Sequence, residues 1–231
     1  MILLMPIGGT GQRFRQAGYT LPKPLIPYQG KPLIHWALQS YAELPGTWIF
    51  LLRPEALMAG IEQYLPSTGQ IEVISQETRG PVETIVSANL TLDDELLIAD
   101  CDSLIEPWEI KQAIRHFRLW NADGGVTVRQ TTEPYCSYAK LDQQGWVQET
   151  RERDPFSPWS TTGPYWWKSG RRFLSLAEQA LSQSIVSVSP VYNLLLHQGG
   201  QVKALAVSTF QHLGTPEALH VSRFVDCRTS F

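Results

Sequence analysis

The first 42 residues of this chain contain neither Asp nor Glu, although the 231-residue sequence has 22 acidic residues in all. The same stretch carries four basic side chains, Arg13, Arg15, Lys23 and Lys31, so its formal charge is +4 within a chain whose total is −3. A local excess of positive charge in a weakly acidic protein predicts a binding site for a small anion. Elsewhere the chain lacks a basic stripe, which argues against a nucleic-acid partner and leaves a single nucleotide compatible.

Long hydrophobic runs and paired cysteines are also missing. Apolar runs such as Trp48–Leu52 and Leu96–Ala99 are too short to cross a bilayer, and the chain begins without a basic region or a small-residue cleavage site. The three cysteines, Cys101, Cys136 and Cys227, have neither an even number nor the spacing of a zinc site. These absences predict reduced thiols, no membrane partner and a cytoplasmic protein. Its 43% of hydrophobic residues suffices for one continuous core.

A glycine-rich turn after a short apolar run is the most informative segment. The run Ile2–Met5 is typical of a buried strand, and Gly8, Gly9 and Gly11 then let the backbone turn sharply and approach a ligand. Exposed N–H groups in such a turn bind phosphate oxygens at the beginning of a helix, and Arg13 adds a full charge. The turn therefore predicts a triphosphate site. Its predicted nucleotide-binding residues are Pro6, Ile7, Gly8, Gly9, Thr10, Gly11, Arg13 and Lys23.

Two other nucleotide motifs do not fit this turn. A dinucleotide fingerprint needs a third glycine where Phe14 stands, and an acidic residue about 20 positions later, which is absent. A Walker loop needs Gly-Lys-Ser or Gly-Lys-Thr, and Gln12 and Arg13 stand there instead. A glycine turn is also common as a plain strand-to-helix connection, so the ligand site needs support from a second group of residues.

Two carboxylates at the end of the run Leu96–Ala99 supply that support. Asp100 and Asp102 lie two positions apart, so an extended backbone directs both to one side. Mg²⁺ accepts one or two carboxylates and completes its shell with phosphate oxygens and water. The pair predicts a Mg²⁺ site facing the glycine turn, with Mn²⁺ as the alternative ion. A single aspartate at a strand end would equally suit a turn or a helix cap.

The first half of the chain alternates strand-like runs with amphipathic stretches, which is typical of βαβ units and a parallel sheet. The predicted strands are Ile2–Met5, Trp48–Leu52, Ile71–Ile74, Leu96–Ala99 and Gly125–Arg129. The predicted crossover helices are Lys31–Leu44, Arg53–Tyr64, Val82–Leu90 and Pro107–Trp120. Right-handed crossovers place the loops that follow the strands at one edge of the sheet, so the glycine turn and the aspartate pair should meet there.

The second half has shorter predicted elements. Its strands are Tyr138–Leu141, Trp146–Glu149, Thr161–Trp167 and Val202–Val207, and its helices are Arg171–Leu181 and Pro190–Leu196. The stretch Arg151–Ser160, rich in charge and proline, predicts a flexible loop. The aromatic run Tyr165–Trp167 suits either a core strand or a sugar-stacking surface. We predict one domain, residues 1–231, with a nucleotide-binding half (1–130) and an acceptor-binding half (131–231).

Several longer motifs extend the pattern of the glycine turn along nearly the whole chain. They are Pro22–Pro27, Gly30–Ile34, Ser137–Leu141, Pro190–Asn193 and Leu213–Glu217. Together with the turn and the aspartate pair, they resemble the sugar-phosphate nucleotidylyltransferase family, in particular a compact bacterial branch used in capsule and surface-polysaccharide synthesis. The resemblance implies an α/β fold, a Rossmann-like three-layer α/β/α sandwich of the nucleotide-diphospho-sugar transferase type with a mixed central sheet.

The resemblance also implies a reaction and its residues. A phosphate monoester attacks the α-phosphorus of an NTP, and pyrophosphate leaves. Arg13 and the glycines would hold the triphosphate, Lys23 would neutralise the α-phosphate, and Asp102 would carry Mg²⁺ with Asp100 beside it or on the ribose. The residues implied for the base and ribose are Gln76, Thr78, Gly80 and Thr84. Those implied for a small phosphorylated acceptor are Lys140, Glu152, Arg153 and Gly163.

Two positions depart from the family pattern. Many relatives have a second metal-binding Asp where this chain has His212, and imidazole is a poor ligand for Mg²⁺. His212 is thus a candidate ligand only for a softer metal ion. Either the protein holds one Mg²⁺ and a second arrives on the phosphates of the nucleotide, or His212 contacts the acceptor. Arg79 stands where close relatives have an acid, which would signal a different nucleotide or acceptor charge.

Two other functions remain open at this stage. The Asp100-Cys101-Asp102 segment also matches the Asp-x-Asp pattern of glycosyltransferases of the same fold, although a diphosphate does not need the basic glycine turn. A nucleotide-binding regulator without catalytic activity is the third alternative, favoured only by His212. The base, the acceptor and the choice between monomer and homodimer also stay open.

Overall fold

The computed structural model of this protein describes residues 1–221. Its strands are, in chain order, β1 (Ile2–Ile7), β2 (Pro27–Tyr28), β3 (Lys31–Pro32), β4 (Thr47–Leu52), β5 (Gln70–Val73), β6 (Leu96–Ile98), β7 (Ser103–Leu104), β8 (Gly124–Gln130), β9 (Ser137–Leu141), β10 (Val147–Glu152), β11 (Trp159–Trp167), β12 (Val202–Ala206) and β13 (Gln211–His212). Its α-helices are α1 (Gln12–Gln16), α2 (Leu33–Gln39), α3 (Pro54–Met58), α4 (Pro81–Ser87), α5 (Pro107–Leu119), α6 (Gly170–Ser182), α7 (Val191–His197) and α8 (Pro216–Val221).

A mixed sheet forms the centre of the fold, as predicted. Its strand order is β10-β9-β11-β6-β1-β4-β5, and β8 pairs with β11 and with β12. Strands β6, β1, β4 and β5 are mutually parallel, whereas β11 runs antiparallel to β6. The carboxyl ends of β1 and β6 therefore lie side by side, at the edge where open α/β sheets bind their ligands.

Helices cover both faces of this sheet, which makes the predicted three layers. Leu4 and Leu51 face a core that α4, α6 and α7 share, whereas Leu3 and Phe50 face a core with α2, α3 and α5. Because both faces are covered, the parallel strands are continuous apolar runs rather than alternating ones. The aromatic run of β11 divides in the same way, with Trp167 in the first core and Trp166 in the second. Both tryptophans are core residues and are not available to stack on a sugar.

Strand β8, the fifth of the strands predicted in the first half, has the direction of the four parallel strands but is not adjacent to them. It runs antiparallel to β11 and parallel to β12. The reason is that β11, which comes later in the chain, inserts between β6 and β8 and pairs with both. An inserted strand of this kind leaves no local signal in the alternation of strands and helices.

Three predicted segments have different boundaries. The helix expected over Lys31–Leu44 begins at Leu33, because residues 31–32 pair with β2 in a two-stranded ribbon, and ends at Gln39. The helix expected over Arg53–Tyr64 ends at Met58 and is followed by a 3-10 helix after a turn with positive φ. The loop expected over 151–160 is shorter, because its ends belong to β10 and β11.

Two expectations about the whole chain concern thiols and membranes. Cys101 and Cys136 are free, as predicted, and Cys227 lies outside the described residues. Across residues 1–221, none of the helices has both the length and the apolar character that a membrane span requires.

Candidate active site

The glycine turn joins β1 to α1 and packs on two neighbouring side chains. Gly11 has a φ of 65°, and a Cβ atom added to it would lie 3.2 Å from the Cβ of Lys23. Left-handed backbone favours glycine, so Gly11 brings the turn directly against Lys23. At the other end of the turn, a Cβ added to Gly8 would lie 2.8 Å from the Cγ2 of Thr84 in α4. The turn thus runs from the beginning of α4 to Lys23.

The backbone of this turn keeps its donors free. Pro6 and Ile7 are the last residues of β1, and Gly9 and Thr10 follow without regular secondary structure. Within residues 1–221, no group accepts a hydrogen bond from the N–H of Gly9 or Thr10. Arg13 is exposed on α1 and has no ion-pair partner in that range. Free N–H groups and a free guanidinium at one turn are suited to an anion.

Lys23 and Asp102 form an ion pair at the carboxyl edge of the sheet. The Nζ of Lys23 donates a hydrogen bond to the Oδ2 of Asp102, and their side chains are 24% and 13% exposed. Burial alone would lower the pKa of Lys23, but the charge and hydrogen bond of Asp102, together with the neighbouring Cys101 and Asp100, outweigh it and the pKa is raised. Burial alone would likewise raise the pKa of Asp102, but the charge and hydrogen bond of Lys23, together with His212 and a backbone hydrogen bond, outweigh it, so this pKa is lowered. Both groups are charged at neutral pH.

Asp100 and Asp102 together suit a divalent cation. Burial and the neighbouring charge of Asp102 raise the pKa of Asp100 to about 8. Two carboxylates that repel each other in a buried site are stabilised by a shared cation. Within residues 1–221, no three His, Cys, Asp or Glu side chains form a cluster that would hold a metal ion alone. The donor set therefore fits Mg²⁺, or Mn²⁺, which takes one or two carboxylates and adds phosphate oxygens.

Gly163 makes room for Asp100. Its φ is 111°, and the pairing of β11 with β8 shifts register between Thr161 and Tyr165. A Cβ atom at this position would collide with the Asp100 carboxylate and lie 3.0 Å from the Oγ of Ser103. The space above Gly163 is thus filled by Asp100, and contact of this glycine with an acceptor stays a prediction.

Residues predicted for the base and ribose form one unit at the beginning of α4. The Oγ1 atoms of Thr78 and Thr84 lie 2.6 Å apart, and the Oγ1 of Thr84 donates to the backbone oxygen of Gly80 at 3.1 Å. Because Thr84 also packs on Gly8, this unit and the glycine turn form one continuous surface.

Two arginines border that surface. Arg53, directly after β4, donates from Nη1 to the backbone oxygen of Gln76 at 3.3 Å and was not predicted to belong to the site. A basic residue at the end of a predicted strand was the available signal. Arg79, the departure from the family pattern, pairs with Glu83 at 2.9 Å. Its charge is therefore matched within the protein.

Glu152 lies near the aspartate pair and shares a neighbour with it. At the end of β10, its carboxylate accepts a hydrogen bond from the Oγ of Ser137, and its charge adds to the effects of burial and Asp102 on Asp100. Burial raises the pKa of Tyr165, and Asp100 and Glu152 raise it further. The Tyr165 hydroxyl, 2.9 Å from the Oγ1 of Thr161, therefore lies close to both carboxylates.

Of the two cations predicted for the acceptor, Arg153 lies at the exposed edge of this group and Lys140 lies outside it. The side chain of Arg153 is 63% exposed, and its Nε lies 3.7 Å from the Oε1 of Glu152. Lys140 is exposed in β9, opposite Glu149 of β10. Because side chains alternate along a strand, Lys140 and Ser137 lie on opposite faces of β9. Lys140 is thus not on the face where Ser137 bonds Glu152.

His212 lies beside Asp102. A Cβ atom added to Gly214 would collide with both the His212 ring and the Asp102 carboxylate, so the two side chains meet over this glycine. Burial lowers the pKa of His212 more than Asp102 raises it, and the imidazole is neutral at pH 7. The ring stacks on Tyr135, with centroids 6.0 Å apart. His212 does not complete a three-ligand metal cluster within the described chain.

Glu109 positions the segment that leads to His212. Its Oε1 accepts hydrogen bonds from the N and Oγ of Ser208 at 2.6 and 2.7 Å, and its Oε2 accepts from the N of Thr209 at 3.0 Å and from its Oγ1. Burial alone would raise the pKa of Glu109, but these bonds outweigh it and the pKa is lowered. From sequence, a Glu in the first turn of a helix indicates only a favourable dipole interaction, so this role was missed.

The family model of the MobA-like NTP transferase domain matches residues 4–189 of this chain. The chain belongs to this family. The matched range contains the glycine turn, the Lys23–Asp102 pair and the strand that carries Gly163. Membership agrees with the resemblance found in the sequence motifs.

Similar proteins include the mannose-1-phosphate guanyltransferases of Yarrowia lipolytica and Aspergillus fumigatus. The first is 34% identical over 150 residues, which cover 62% of this chain and 41% of that protein. The second is 27% identical over 142 residues, which cover 58% of this chain and 39% of that protein. The match thus spans about two-fifths of the length of these relatives.

Solved structures of the same fold extend over nearly the whole chain. The nucleoside-diphosphate-sugar pyrophosphorylase from Vibrio cholerae RC9 superimposes with a TM-score of 0.79 at 22% identity, covering 95% of this chain and 98% of that one. The inositol-1-phosphate CTP transferase from T. maritima gives a TM-score of 0.79 at 15% identity, covering 94% and 90%. These likenesses confirm the predicted nucleotide-diphospho-sugar transferase type of fold.

Proposed function

We propose that this MobA-like NTP transferase is a nucleotidyltransferase that joins an NTP to a small phosphate monoester and releases pyrophosphate. The observation that carries the proposal is the contact of Lys23 with Asp102 beside a turn with free backbone N–H groups. A lysine, amide donors and a carboxylate pair at one sheet edge suit a polyphosphate with its cation. The names of the family and of its guanyltransferase relatives support the same reaction class.

The residues of the turn would bind the triphosphate of the NTP. Within residues 1–221, the amides of Gly9 and Thr10 and the guanidinium of Arg13 have no acceptor or acid as a partner, so binding breaks no bond in that range. The unit of Thr78, Gly80 and Thr84 continues this surface and would contact the ribose and base, with Gln76 upstream. Which base is preferred depends on backbone groups in this unit.

Asp100 and Asp102 would hold Mg²⁺, which supplies neutralisation of phosphate charge when bound. Lys23 lies beside these carboxylates, and its ammonium group is kept charged by Asp102. Its role would be to stabilise the negative charge that develops at the α-phosphate during attack. Little covalent chemistry is required of the protein, so alignment and charge stabilisation would provide the rate enhancement.

The acceptor would bind on the side of Asp100 that holds Glu152 and Tyr165. Glu152 would accept hydrogen bonds from acceptor hydroxyl groups, and the exposed Arg153 would turn inward to grip the acceptor phosphate by two parallel bonds. A phosphorylated sugar is the first acceptor class to test, because the relatives are named for mannose 1-phosphate. A place in surface-polysaccharide synthesis would follow from such a product and is part of the proposal.

A pyrophosphate-release screen tests the proposal. Four NTPs are each combined with a panel of sugar 1-phosphates and other phosphate monoesters in the presence of Mg²⁺. We expect release of pyrophosphate from a restricted set of pairings, loss of release when a chelator removes the divalent ion, and loss of release in Asp102→Asn. Sugar transfer from a ready-made nucleotide sugar, without pyrophosphate, would instead identify a glycosyltransferase and refute the proposal.

A further inference from the structure

A cavity of about 700 Å³ opens beside His212. Its lining includes Arg13, Arg129, Tyr135 and Phe210 besides that histidine. Sites for small molecules commonly have volumes of about 300–1,000 Å³, with apolar walls and a few polar groups. Two guanidinium groups, from α1 and from the end of β8, therefore face a space large enough for a phosphorylated small molecule.

Arg129 is incompletely bonded in its present position. Its guanidinium carbon lies 4.6 Å from the centre of the Phe210 ring, and its Nη2 forms an ion pair with Glu133. Its Nε is buried and has no hydrogen-bond partner among the described residues. A buried N–H without an acceptor is unfavourable, so this arrangement is less stable than one in which the whole guanidinium is bonded.

The ion pair with Glu133 is easily exchanged. The side chains of Arg129 and Glu133 are 24% and 39% exposed, and pairs with this degree of exposure contribute little to stability. A phosphate group offers several acceptor oxygens in a geometry that matches the guanidinium fork. A bound phosphate would therefore replace the Glu133 carboxylate at a gain in hydrogen bonds.

Arg13 supplies the second cation of the cavity. It has no ion-pair partner within the described chain, so its charge is not matched by an internal acid. Glu133 and Glu217 are the acids of the lining, and the first is occupied by Arg129. With Arg129 released from Glu133, two guanidinium groups would face one another across the cavity, as is favourable for an oxyanion between them.

We propose that this cavity binds a phosphate-bearing ligand, and that Arg129 exchanges Glu133 for the oxygens of that ligand opposite Arg13. The inference rests on the proposed function, because its substrates bring two groups of this chemistry. One is the pyrophosphate end of the NTP, and the other is the phosphate of the acceptor.

Binding of inorganic anions to the full chain tests the site without turnover. Isothermal titration calorimetry with inorganic pyrophosphate and with inorganic phosphate is applied to the wild type, Arg129→Gln, Glu133→Gln and Arg171→Gln. Arg171 of α6 is the matched control, since it also forms an exposed ion pair, in its case with Asp93. We expect Arg129→Gln to weaken binding by about tenfold, because a charge-assisted double contact is lost. Arg171→Gln should leave the affinity unchanged.

Glu133→Gln separates ligand binding from a structural role of the ion pair. It releases Arg129 without removing the cation, so we expect binding to tighten by about threefold, the scale of one exposed ion pair. Such a gain cannot result from misfolding. Weaker binding in Glu133→Gln would indicate that the pair only holds the loop, and would overturn the inference.

The two sources of phosphate give different patterns. If Arg129→Gln loses affinity for pyrophosphate and raises the KM of the NTP, the cavity binds the pyrophosphate end of the NTP. If Arg129→Gln instead loses affinity for phosphate and raises the KM of the acceptor, the cavity binds the acceptor phosphate. No binding of either anion to the wild type, or affinities of Arg129→Gln within about twofold of the wild type for both, overturns the inference. If anion binding depends on Arg129 but the protein releases no pyrophosphate with any substrate pair, the proposed function is refuted and the anion site in the cavity is still supported.

Discussion

Two lysines of this protein are largely shielded from solvent, and different kinds of partner stabilise their positive charges. Lys23 pairs with the carboxylate of Asp102 at the carboxyl edge of the sheet. Lys203, in β12, has its ammonium group 4.3 Å from the centre of the Trp120 ring and 4.5 Å from that of Trp146. One charge is matched by another charge, and the other by the faces of two aromatic rings.

The partner of each lysine indicates what it does. A carboxylate can be exchanged for a phosphate, so Lys23 is suited to a substrate that arrives and leaves. The rings around Lys203 belong to the protein itself and cannot be exchanged for a ligand, and its Nζ donates to the backbone oxygen of Gln144 in the turn between β9 and β10. Next to it, the N–H of Ala204 donates to the oxygen of Gly145 at 2.9 Å. Lys203 therefore connects the β9–β10 hairpin to β12, which comes 59 positions later in the chain at this contact.

The sharpest test of this contrast is to remove each charge while keeping an unbranched side chain that is only one atom shorter. We expect Lys23→Met to lower turnover by about 10²–10³-fold, because a cation that stabilises developing phosphate charge is lost. Lys203→Met, the matched control, should retain wild-type turnover per folded molecule. Steady-state pyrophosphate release measures both, with circular dichroism to verify the fold. Turnover of Lys23→Met near that of the wild type would remove Lys23 from the mechanism.

Asp102→Asn should lower turnover by a similar factor, because it removes a carboxylate that would hold Mg²⁺ beside Lys23. Lys23 and Asp102 would act on one step, so the double variant Lys23→Met/Asp102→Asn should lose little more than the worse single variant. The four turnover numbers form a double-mutant cycle. Losses that multiply independently would contradict a shared step and would leave the ion pair as a structural contact only.

Lys203→Met should have its effect on stability instead. The desolvated cation–π contacts and the bond to Gln144 together predict a loss of about 2–3 kcal/mol in the free energy of unfolding. Urea denaturation followed by tryptophan fluorescence measures this loss. Lys23→Met is not the control for this measurement, because it leaves the Asp102 carboxylate beside Asp100 without its counter-charge and should itself be destabilising. A loss of less than about 0.5 kcal/mol in Lys203→Met would show that its ring contacts do not stabilise the fold.

The two lysines also show how far the sequence predicts this molecule. The glycine turn, Lys23 and the pair Asp100 and Asp102 are recognisable because their spacing is local and because parallel strands bring their following loops to one edge. The strands β1, β4, β5 and β6 are recognisable as apolar runs for the same local reason. The contact between Lys23 and Asp102 then follows from the order of the strands.

The environment of Lys203 could not be predicted in this way. Its two tryptophans come directly after α5 and directly before β10. They meet at Lys203 because β11 inserts into the sheet and pairs with β8, and β12 pairs with β8 in turn. The cavity with Arg129 and His212 depends on the same insertion. A charged residue at the end of a predicted strand, such as Arg129, is the one local signal that was present.

Glu109 extends the comparison to a buried anion that is held by neutral donors. Its pKa lies below the ordinary value of 4.5, since the bonds from Ser208 and Thr209 outweigh burial. A depressed carboxyl pKa contributes stability above the unfolded pKa and loses it as pH falls through the folded pKa. Glu109→Gln should therefore cost about 1–2 kcal/mol of unfolding free energy at pH 7, and this difference from the wild type should shrink below about pH 4.5.

Urea denaturation at a series of pH values between neutral and acid measures that difference for Glu109→Gln. The wild type is measured beside the variant at every pH, so that general charge effects common to both cancel in the difference. A difference between wild type and Glu109→Gln that stays constant down to acid pH would mean that the carboxylate charge does not hold the loop before His212.

Arg153 is a third kind of cation, exposed and, within residues 1–221, paired only loosely with Glu152, and it should show the smallest effect. If it turns inward only when an acceptor phosphate is bound, Arg153→Ala should raise the acceptor KM by about three- to tenfold, the scale of one charge-assisted contact, and leave the KM of the NTP and the unfolding free energy unchanged. Arg151→Ala is the control, because Arg151 is already paired with Glu149 and Asp154. A larger rise in the KM of the NTP than of the acceptor would place Arg153 with Lys23 on the nucleotide side, and the acceptor would then have to be sought beside Arg129.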